Sequence, residues 1–440
     1  MKLPWMLLLA APLLIAQTPV PLSLKRAVDV AIAPEGSAKI QLADEALKQA
    51  QARSAQARAA LLPDLESSFR YSSQTINLAG EGLSSAFNFP IPGFTFPTLV
   101  GPFSVADARA SAQQSIFDFS SIRRFQASKV GVSASKSDLE ASSEQVAAQV
   151  ARAYLQAVKS DTDVDTAESN VTLSQATLTQ AENQKTAGTG TGIEITRAKV
   201  QLANDQQRLV AARNARRAAH MQLLRAMGMR LETDVDLTDK LQYIPVDAVT
   251  LESARTMALK ERPDYQAQQQ RETNARLSAS ATTLERLPSV AASADYGAIG
   301  PGLNNAIPTY TYGISVRVPV FDGGRRDARR VESDSQYRAE KVRTNDLKDQ
   351  IELDVRLALD SLTSAAEEVQ VAKDGLELAG SELTQARRRY EGGVANSLEV
   401  TDAQTRLERA RDNQTDALYQ YNLARVDLAQ SMGKVRSMMQ

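Results

Sequence analysis

The sequence predicts a mainly helical protein with a smaller β part, built from two copies of one long helical hairpin. A heptad seam occurs twice, displaced by about 205 residues, and a pair of period-2 stretches precedes each copy. The first seam runs Val146, Val150, Ala153, Ala157, Ser160, Val164, Ala167, Val171, Ser174, Leu178, Ala181. The second runs Ile351, Val355, Ala358, Leu362, Ala365, Val369, Ala372, Leu376, Ala379, Leu383, Ala386. Steps alternate four and three in both, the spacing of a left-handed coiled coil. The same offset relates Gly188 to Gly393, Thr196 to Thr401 and Gly228 to Gly433. A duplicated helical hairpin points to a wall or tube rather than an active-site cleft, because repeats set the architecture.

At the N-terminus, Lys2 precedes an apolar stretch from Trp5 to Ile15, followed by Ala16. That is the pattern of a secretory signal, expected over 1–16, and too short to cross a bilayer. The first repeat is expected over 17–230. A helix runs from Leu22 to Leu62 with a break at Pro34-Glu35-Gly36, and Leu62-Pro63 ends it. Strands follow at about 64–75 and 104–118, separated by the Gly/Pro/Phe-rich stretch 87–103. Leu65, Phe69 and Tyr71 alternate with Glu66, Ser68 and Arg70, and Ala106, Ala108, Ala110 and Ala112 with Asp107, Arg109, Ser111 and Gln113. The hairpin occupies about 120–228, with a first helix of about 68 residues, roughly 100 Å long. A connector covers 231–250.

The second repeat, 251–434, has the same order. Its strands are expected at about 289–299 and 309–322 and its hairpin at about 324–432, with a tail at 435–440. Tyr310, Tyr312, Ile314, Val316, Val318 and Val320 alternate with Thr311, Gly313, Ser315 and Arg317. Each hairpin turns at a glycine-rich stretch, 186–192 and 391–397.

Strands with one apolar and one polar face suit a bilayer barrel, apolar to lipid and polar to a wet lumen. One chain offers four of them. Four cannot close a wide barrel, and open edges cannot sit in lipid, so several chains must share one barrel.

Net charge is −1, with 51 basic and 52 acidic side chains, which gives no basic footprint for nucleic acid. Absence of cysteine excludes disulfides and thiolate metal sites. The single histidine, His220, reads as an ordinary helix residue, so no metal and no cofactor are expected. "GTGTG" at 188–192 lacks the Lys-Ser/Thr of a phosphate loop and follows a helix, so it reads as a turn.

Several ordered motifs resemble the TolC-type outer-membrane efflux proteins over nearly the whole chain. Leu62-Pro63 and Leu287-Pro288 precede the first strand of each copy. "VPVFDGG" (318–324) closes the last strand, with "SIFDFS" (115–120) as its counterpart. "ERPDYQAQ" (261–268), "RYEGGVANSLEVTDAQTRL" (389–407), Met227-Gly228 and Met432-Gly433 complete the set. This resemblance implies a homotrimer, with a 12-stranded barrel contributed by three chains continuing into a 12-helix tunnel through the periplasm. It implies passive conduction as the channel of a tripartite efflux or type I secretion system, with outer-membrane lipid around the barrel, a periplasmic adaptor, and an inner-membrane pump of RND, ABC or MFS type.

The resemblance also places function at the tips. Gly188, Gly190, Gly192, Gly393, Val394 and Ala395 are expected to turn the hairpins and dock the adaptor. Some relatives carry acidic residues one to two turns before the second tip. Residue by residue, those positions fall here on Thr384 and Arg387, neither acidic, and Tyr390 follows as a further gate candidate. Arg387-Arg388-Arg389 is either a solvated face or an entrance that repels cations. Asp107, Arg109 and Arg317 fall in the polar phase of the strands and are expected to face the lumen. A non-membrane coiled-coil filament leaves the strands unexplained, an adaptor would not carry a duplicated hairpin with strand pairs, and an exported enzyme lacks any acid–base or metal cluster.

Overall fold

The computed structural model describes residues 20–80, 97–247 and 249–438. The expected signal segment lies outside the described residues, as does most of the loop at 87–103. In chain order the elements are β1 (Val20–Leu22), α1 (Leu24–Ile32), α2 (Ala38–Ala59), β2 (Asp64–Asn77), β3 (Leu99–Phe117), α3 (Phe119–Thr186), α4 (Gly192–Met227), β4 (Val235–Leu237), α5 (Leu251–Glu261), α6 (Pro263–Leu284), β5 (Ser289–Gly300), a 3₁₀ turn (Leu303–Asn305), β6 (Ile307–Arg317), α7 (Arg325–Glu391), α8 (Ser397–Ser431) and α9 (Val435–Met438).

Two compact units share the chain, and each draws on both sequence copies: one comprises 1–46, 136–266 and 345–440, the other 47–135 and 267–344. In the second unit β2, β3, β5 and β6 form an antiparallel sheet in that order. Pro63 and Pro288 stand just before β2 and β5, where a missing N–H costs no ladder bond. The last strand is shorter than the sequence pattern predicts. Its pairing ends at Arg317 opposite Ser289, not at 322. Beyond that point the partner strand has ended at Pro288, and Pro319 has no N–H to offer, so the apolar alternation through Val320 has nothing to pair with.

In the first unit the helices lie side by side in the order α4–α3–α8–α7. Arg213–Glu168 (2.7 Å) and Arg216–Asp161 (2.6 Å) join α4 to α3. Lys159–Asp416 (3.1 Å) and Arg152–Asp427 (2.6 Å) join α3 to α8, and Arg389–Glu399 (2.9 Å) joins α7 to α8. Seam positions are filled as the heptads predict: Val146, Val150, Ala157, Ile351 and Val355 are all 2% exposed or less. Alanine at alternate positions lets the helices approach closely while Val and Leu fill the spaces between them.

The connector is more ordered than its composition suggests. Val235–Leu237 pairs in parallel with Val20–Leu22. The Tyr154 hydroxyl, on α3, lies within hydrogen-bond distance of the Leu22 carbonyl (2.8 Å) and of Asp239 (2.9 Å), and Asp239 also accepts from the Leu24 N–H (2.7 Å). One buried tyrosine thus ties the segment Leu22–Leu24 and the connector to the long helix. A second tie is Arg262, which grips Asp264 (2.8 Å) and Asp354 of α7 (2.9 Å).

Gly393 and Gly433 both hold a left-handed backbone, φ 71° and 70°. At Gly393 an added Cβ meets open space, whereas at Gly433 it would lie 2.9 Å from the Arg262 Cα. Alanine at either site costs about 1–2 kcal/mol for the backbone alone. Gly433→Ala should therefore lower the thermal unfolding midpoint more than Gly393→Ala. Equal shifts would mean that the Arg262 backbone yields.

Candidate functional site

Three features could do work, and the first is the sheet. Register places Leu65, Ala112, Ala294 and Tyr312 in one row on one face, and Ser67, Ala110, Tyr296 and Tyr310 in the next. On that face Tyr312 is 79% exposed, Leu65 77% and Ile314 71%. Large exposed apolar and aromatic side chains on β2, β5 and β6, with alanines of β3 between them, make a patch unlike a soluble surface, where exposed apolar patches stay small.

The opposite face is polar. Asp107, Arg109 and Arg317 all lie on it, as the alternation predicts, together with Glu66, Arg70 and Asp295. Arg109 pairs with Asp295, lies 3.4 Å from Asp107, and reaches Thr309 across β5 (3.4 Å). That reach passes over Gly297, the β5 residue opposite Arg109, where a Cβ would come within 3.0 Å of the Arg109 Cβ. Asp295 is in the polar phase of its strand, but no local pattern pairs it with a residue 186 positions away. Arg317 stands apart from this cluster at the other end of the register.

The second surface is the pair of tips. Gly188 and Gly393 take matching left-handed conformations, and each closes its helix by the same two bonds: Gly188 N–H to the Lys185 carbonyl and Thr189 N–H to that of Gln184, then Gly393 to Tyr390 and Val394 to Arg389. Gly190 and Gly192 complete the first turn, and at the second Ala395 stands where Gly190 stands in the first. Val394 is 72% exposed, an apolar side chain held out at the apex. Below it, Asn396 caps α8 by accepting from the Leu398 and Glu399 N–H groups (3.1 and 3.2 Å).

The three gate candidates separate. Thr384 is exposed and bonds back to the Gly380 carbonyl (2.9 Å). Arg387 is half-buried. Tyr390 is buried in the α7–α8 seam beside Val400 and Ala403, and its hydroxyl donates to Gln184 on α3. It joins the two hairpins just behind their tips. Burial, with the charge of Glu194 adding to it, pushes that hydroxyl above its usual pKa.

The third feature is a polar layer buried among α3, α4 and α8. Asp205 is 1% exposed and Glu408 5%. Ser174 and Gln201 (3.2 Å) donate to Asp205. Arg208 lies 3.4 Å from Asp205 and 2.6 Å from Glu408, so one guanidinium serves two buried carboxylates. The Gln404 amide donates to Thr177 (2.8 Å) across the same layer. The seam of α4 carries the signal for it: Ile195, Ala198, Leu202 and Leu209 leave one heptad place, and Asp205 fills it.

His220 sits 3.0 Å from Asp161, which also holds Arg216. Among the described residues no group of three or more His, Cys, Asp or Glu side chains could hold a metal ion. Nor is any described helix long and apolar enough to cross a membrane.

A family model, that of the outer membrane efflux proteins, matches residues 32–229 and 254–434. The chain belongs to this family. It is accordingly an outer-membrane transport protein and not an enzyme. It is similar to the alkaline protease secretion protein AprF of Pseudomonas aeruginosa, 24% identical over 322 residues, which are 71% of this chain and 66% of AprF. It is also similar to the pyoverdine export outer membrane protein OpmQ of Pseudomonas putida, 24% identical over 418 residues, 92% of this chain and 84% of OpmQ. Among solved structures, the Campylobacter jejuni CmeC outer membrane channel superposes with a TM-score of 0.80 at 16% identity, covering 93% of this chain and 85% of CmeC. VceC of Vibrio cholerae does so at 0.78 and 18%, covering 93% and 96%.

Burial, then the nearby charge of Asp205, holds the Glu408 carboxyl above its ordinary pKa despite Arg208. The folded chain therefore takes up this proton at a higher pH than the unfolded chain does. Stability should rise as pH falls from neutral towards the ordinary glutamate value of 4.5. Glu408→Gln should remove part of that trend, so the difference in unfolding midpoint between variant and parent should be largest, in the variant's favour, near neutral pH and shrink towards acid. A difference independent of pH would show that Glu408 is not the group responsible.

Proposed function

We propose that the chain is one third of a homotrimeric channel that conducts substrates passively across the outer membrane. The sheet supports this most directly: one face is broadly apolar and exposed, the other is charged, and both edge strands, β2 and β6, lack a partner among the described residues. Three such sheets joined edge to edge make a closed barrel of 12 strands, which satisfies every backbone group in lipid. The four hairpin helices of each chain, taken three times, give a 12-helix tunnel.

In this reading Asp107, Arg109 and Arg317 face the lumen, and Arg109 is largely neutralised by Asp107 and Asp295. The tips at Gly188–Gly192 and Gly393–Ala395 meet a periplasmic adaptor, with Val394 as an apolar contact. An inner-membrane pump supplies energy and selects the cargo. Thr384 and Arg387 lie at the periplasmic entrance, while Tyr390 holds the second hairpin to the first through Gln184. Opening is a population shift in which adaptor docking favours separated tips.

The deciding measurement is single-channel conductance of detergent-extracted protein in a planar bilayer, with its mass from light scattering. A trimer giving stepwise conductance is expected. A non-conducting monomer would return the filament reading. With the channel in hand, Arg387→Asp should move the reversal potential in a salt gradient towards cation preference. An unchanged potential would place Arg387 outside the pore.

A further inference from the structure

The connector is held over α8 by two bonds. The Tyr421 hydroxyl donates to the Ile244 carbonyl (2.8 Å), and the Asn422 amide donates to that of Gln242 (3.0 Å). Between the connector, the start of α1, α3 and α8 lies a cavity of about 500 Å³. Its apolar wall includes Leu155, Val158 and Val426, all buried, with Leu241 and Ile244 from the connector. Its charged lining is one acid, Asp239, and three cations, Lys25, Lys240 and Arg425. Asp239 is already committed to Tyr154 and to the Leu24 N–H.

Arg425 is the unusual member of this lining. Among the described residues it makes no ion pair: one guanidinium N–H donates to Asn422 (3.1 Å), and its buried Nε has no partner. Burial pushes its pKa below the usual arginine value, and the opposing influence is the Tyr421 hydroxyl, not a carboxylate. Comparison of the two sequence copies shows what is missing. The counterpart of Arg425, 205 residues earlier, is His220, which lies 3.0 Å from Asp161. The residue that corresponds to Asp161 in the second copy is Ala366, packed in the cluster of Val369 and Tyr421. The second copy therefore keeps a cation, makes it permanent and drops its acid, at the wall of a cavity. A half-buried charge without a counter-charge is costly. Lys25 and Lys240, both exposed at the rim, add to its field instead of offsetting it.

We propose that this cavity binds a small amphiphilic monocarboxylate, with its anionic head on the Arg425 guanidinium and its apolar body against Leu155, Val158 and Ile244. A planar guanidinium matches a carboxylate in geometry as well as in charge. The volume is that of a small-molecule site, about 300–1,000 Å³, and an aliphatic wall with a few polar groups is the usual make-up of one. A dianion such as phosphate is disfavoured, because Asp239 shares the cavity and the aliphatic wall cannot solvate a second charge. Since α1, the connector, α3 and α8 all contribute to the lining, an occupant would fasten the connector to both sequence copies. The site belongs to one chain and stands whether or not that chain is part of a trimer.

Equilibrium dialysis of radiolabelled octanoate and of 4-phenylbutyrate against the purified protein in detergent, with detergent alone as the blank, tests the site. Saturable uptake of at least one of the two is expected, and the ligand should raise the thermal unfolding midpoint of the parent. Arg425→Gln should weaken binding by about tenfold or more, the usual effect of losing a charge-assisted hydrogen bond. Octanamide, with the same chain and no charge, should bind the parent about tenfold more weakly than octanoate for the same reason. Ile244→Trp changes an exposed connector residue, fills the cavity and leaves Arg425 in place; it should block uptake. Should Arg425→Gln fail to fold, octanamide and Ile244→Trp decide between them, one reading the charge and the other the place. Absence of saturable uptake of both carboxylates overturns the proposal. So does octanamide binding as tightly as octanoate, or uptake that Ile244→Trp and a folded Arg425→Gln both leave intact, which would put the site elsewhere.

Discussion

A β-sheet edge cannot be left open in lipid, and that constraint governs the molecule. Every unpaired backbone N–H or C=O in hydrocarbon costs several kcal/mol. Among the described residues the sheet ends on two unpaired edges, β2 and β6, and carries a broad apolar face beside them. No rearrangement within four strands removes both edges. Closure has to come from outside the chain, and the helical layer is built the same way, with α4 and α7 as its outer members. Both compact units therefore pose the same problem and admit the same solution, more copies of the chain.

The strands and helices were legible because both depend on short periods. Alternation at Leu65–Tyr71 and Ala106–Ala112 needs only neighbouring residues, and the heptads from Val146 and Ile351 repeat often enough to be unmistakable. Long-range pairings left no such trace. The three-residue strand Val20–Leu22 is too short to show a period, and its partner lies over 200 residues away. Where the pattern misled, at Val318–Val320, it reported side-chain polarity faithfully, but polarity does not supply a hydrogen-bond partner. The candidate tip residues were legible as turns from their glycines. That Tyr390 points into the seam rather than away from it follows from its place four residues after Ala386, a spacing that continues the second heptad.

The buried layer at Asp205 and Glu408 shows a different limit. A seam read for apolar residues passes over the place where a carboxylate stands. Two buried acids on one guanidinium are a poor source of stability, since the desolvation of charge offsets most of the attraction. Such a layer contributes register instead: Ser174 to Asp205, Arg208 to Glu408 and Gln404 to Thr177 bond only when α3, α4 and α8 are aligned at one height. Seams rich in alanine would otherwise slide with little change in packing.

Duplication explains why side-chain charge carries so much of the assembly. A chain with two repeats has two kinds of joint between long and return helices. The inner joint is held by covalent connection, since the segment 231–250 leads directly from one copy to the next. The outer joint has no such tether and must be specified by its side chains alone. Glycine turns at 188 and 393 and caps at 228 and 433 keep the copies geometrically equivalent, so geometry cannot tell the joints apart. Divergence in charge can. Arg152–Asp427 and Lys159–Asp416 mark the inner joint. The repeat supplies one shape twice, and the charges decide which surface of that shape meets which.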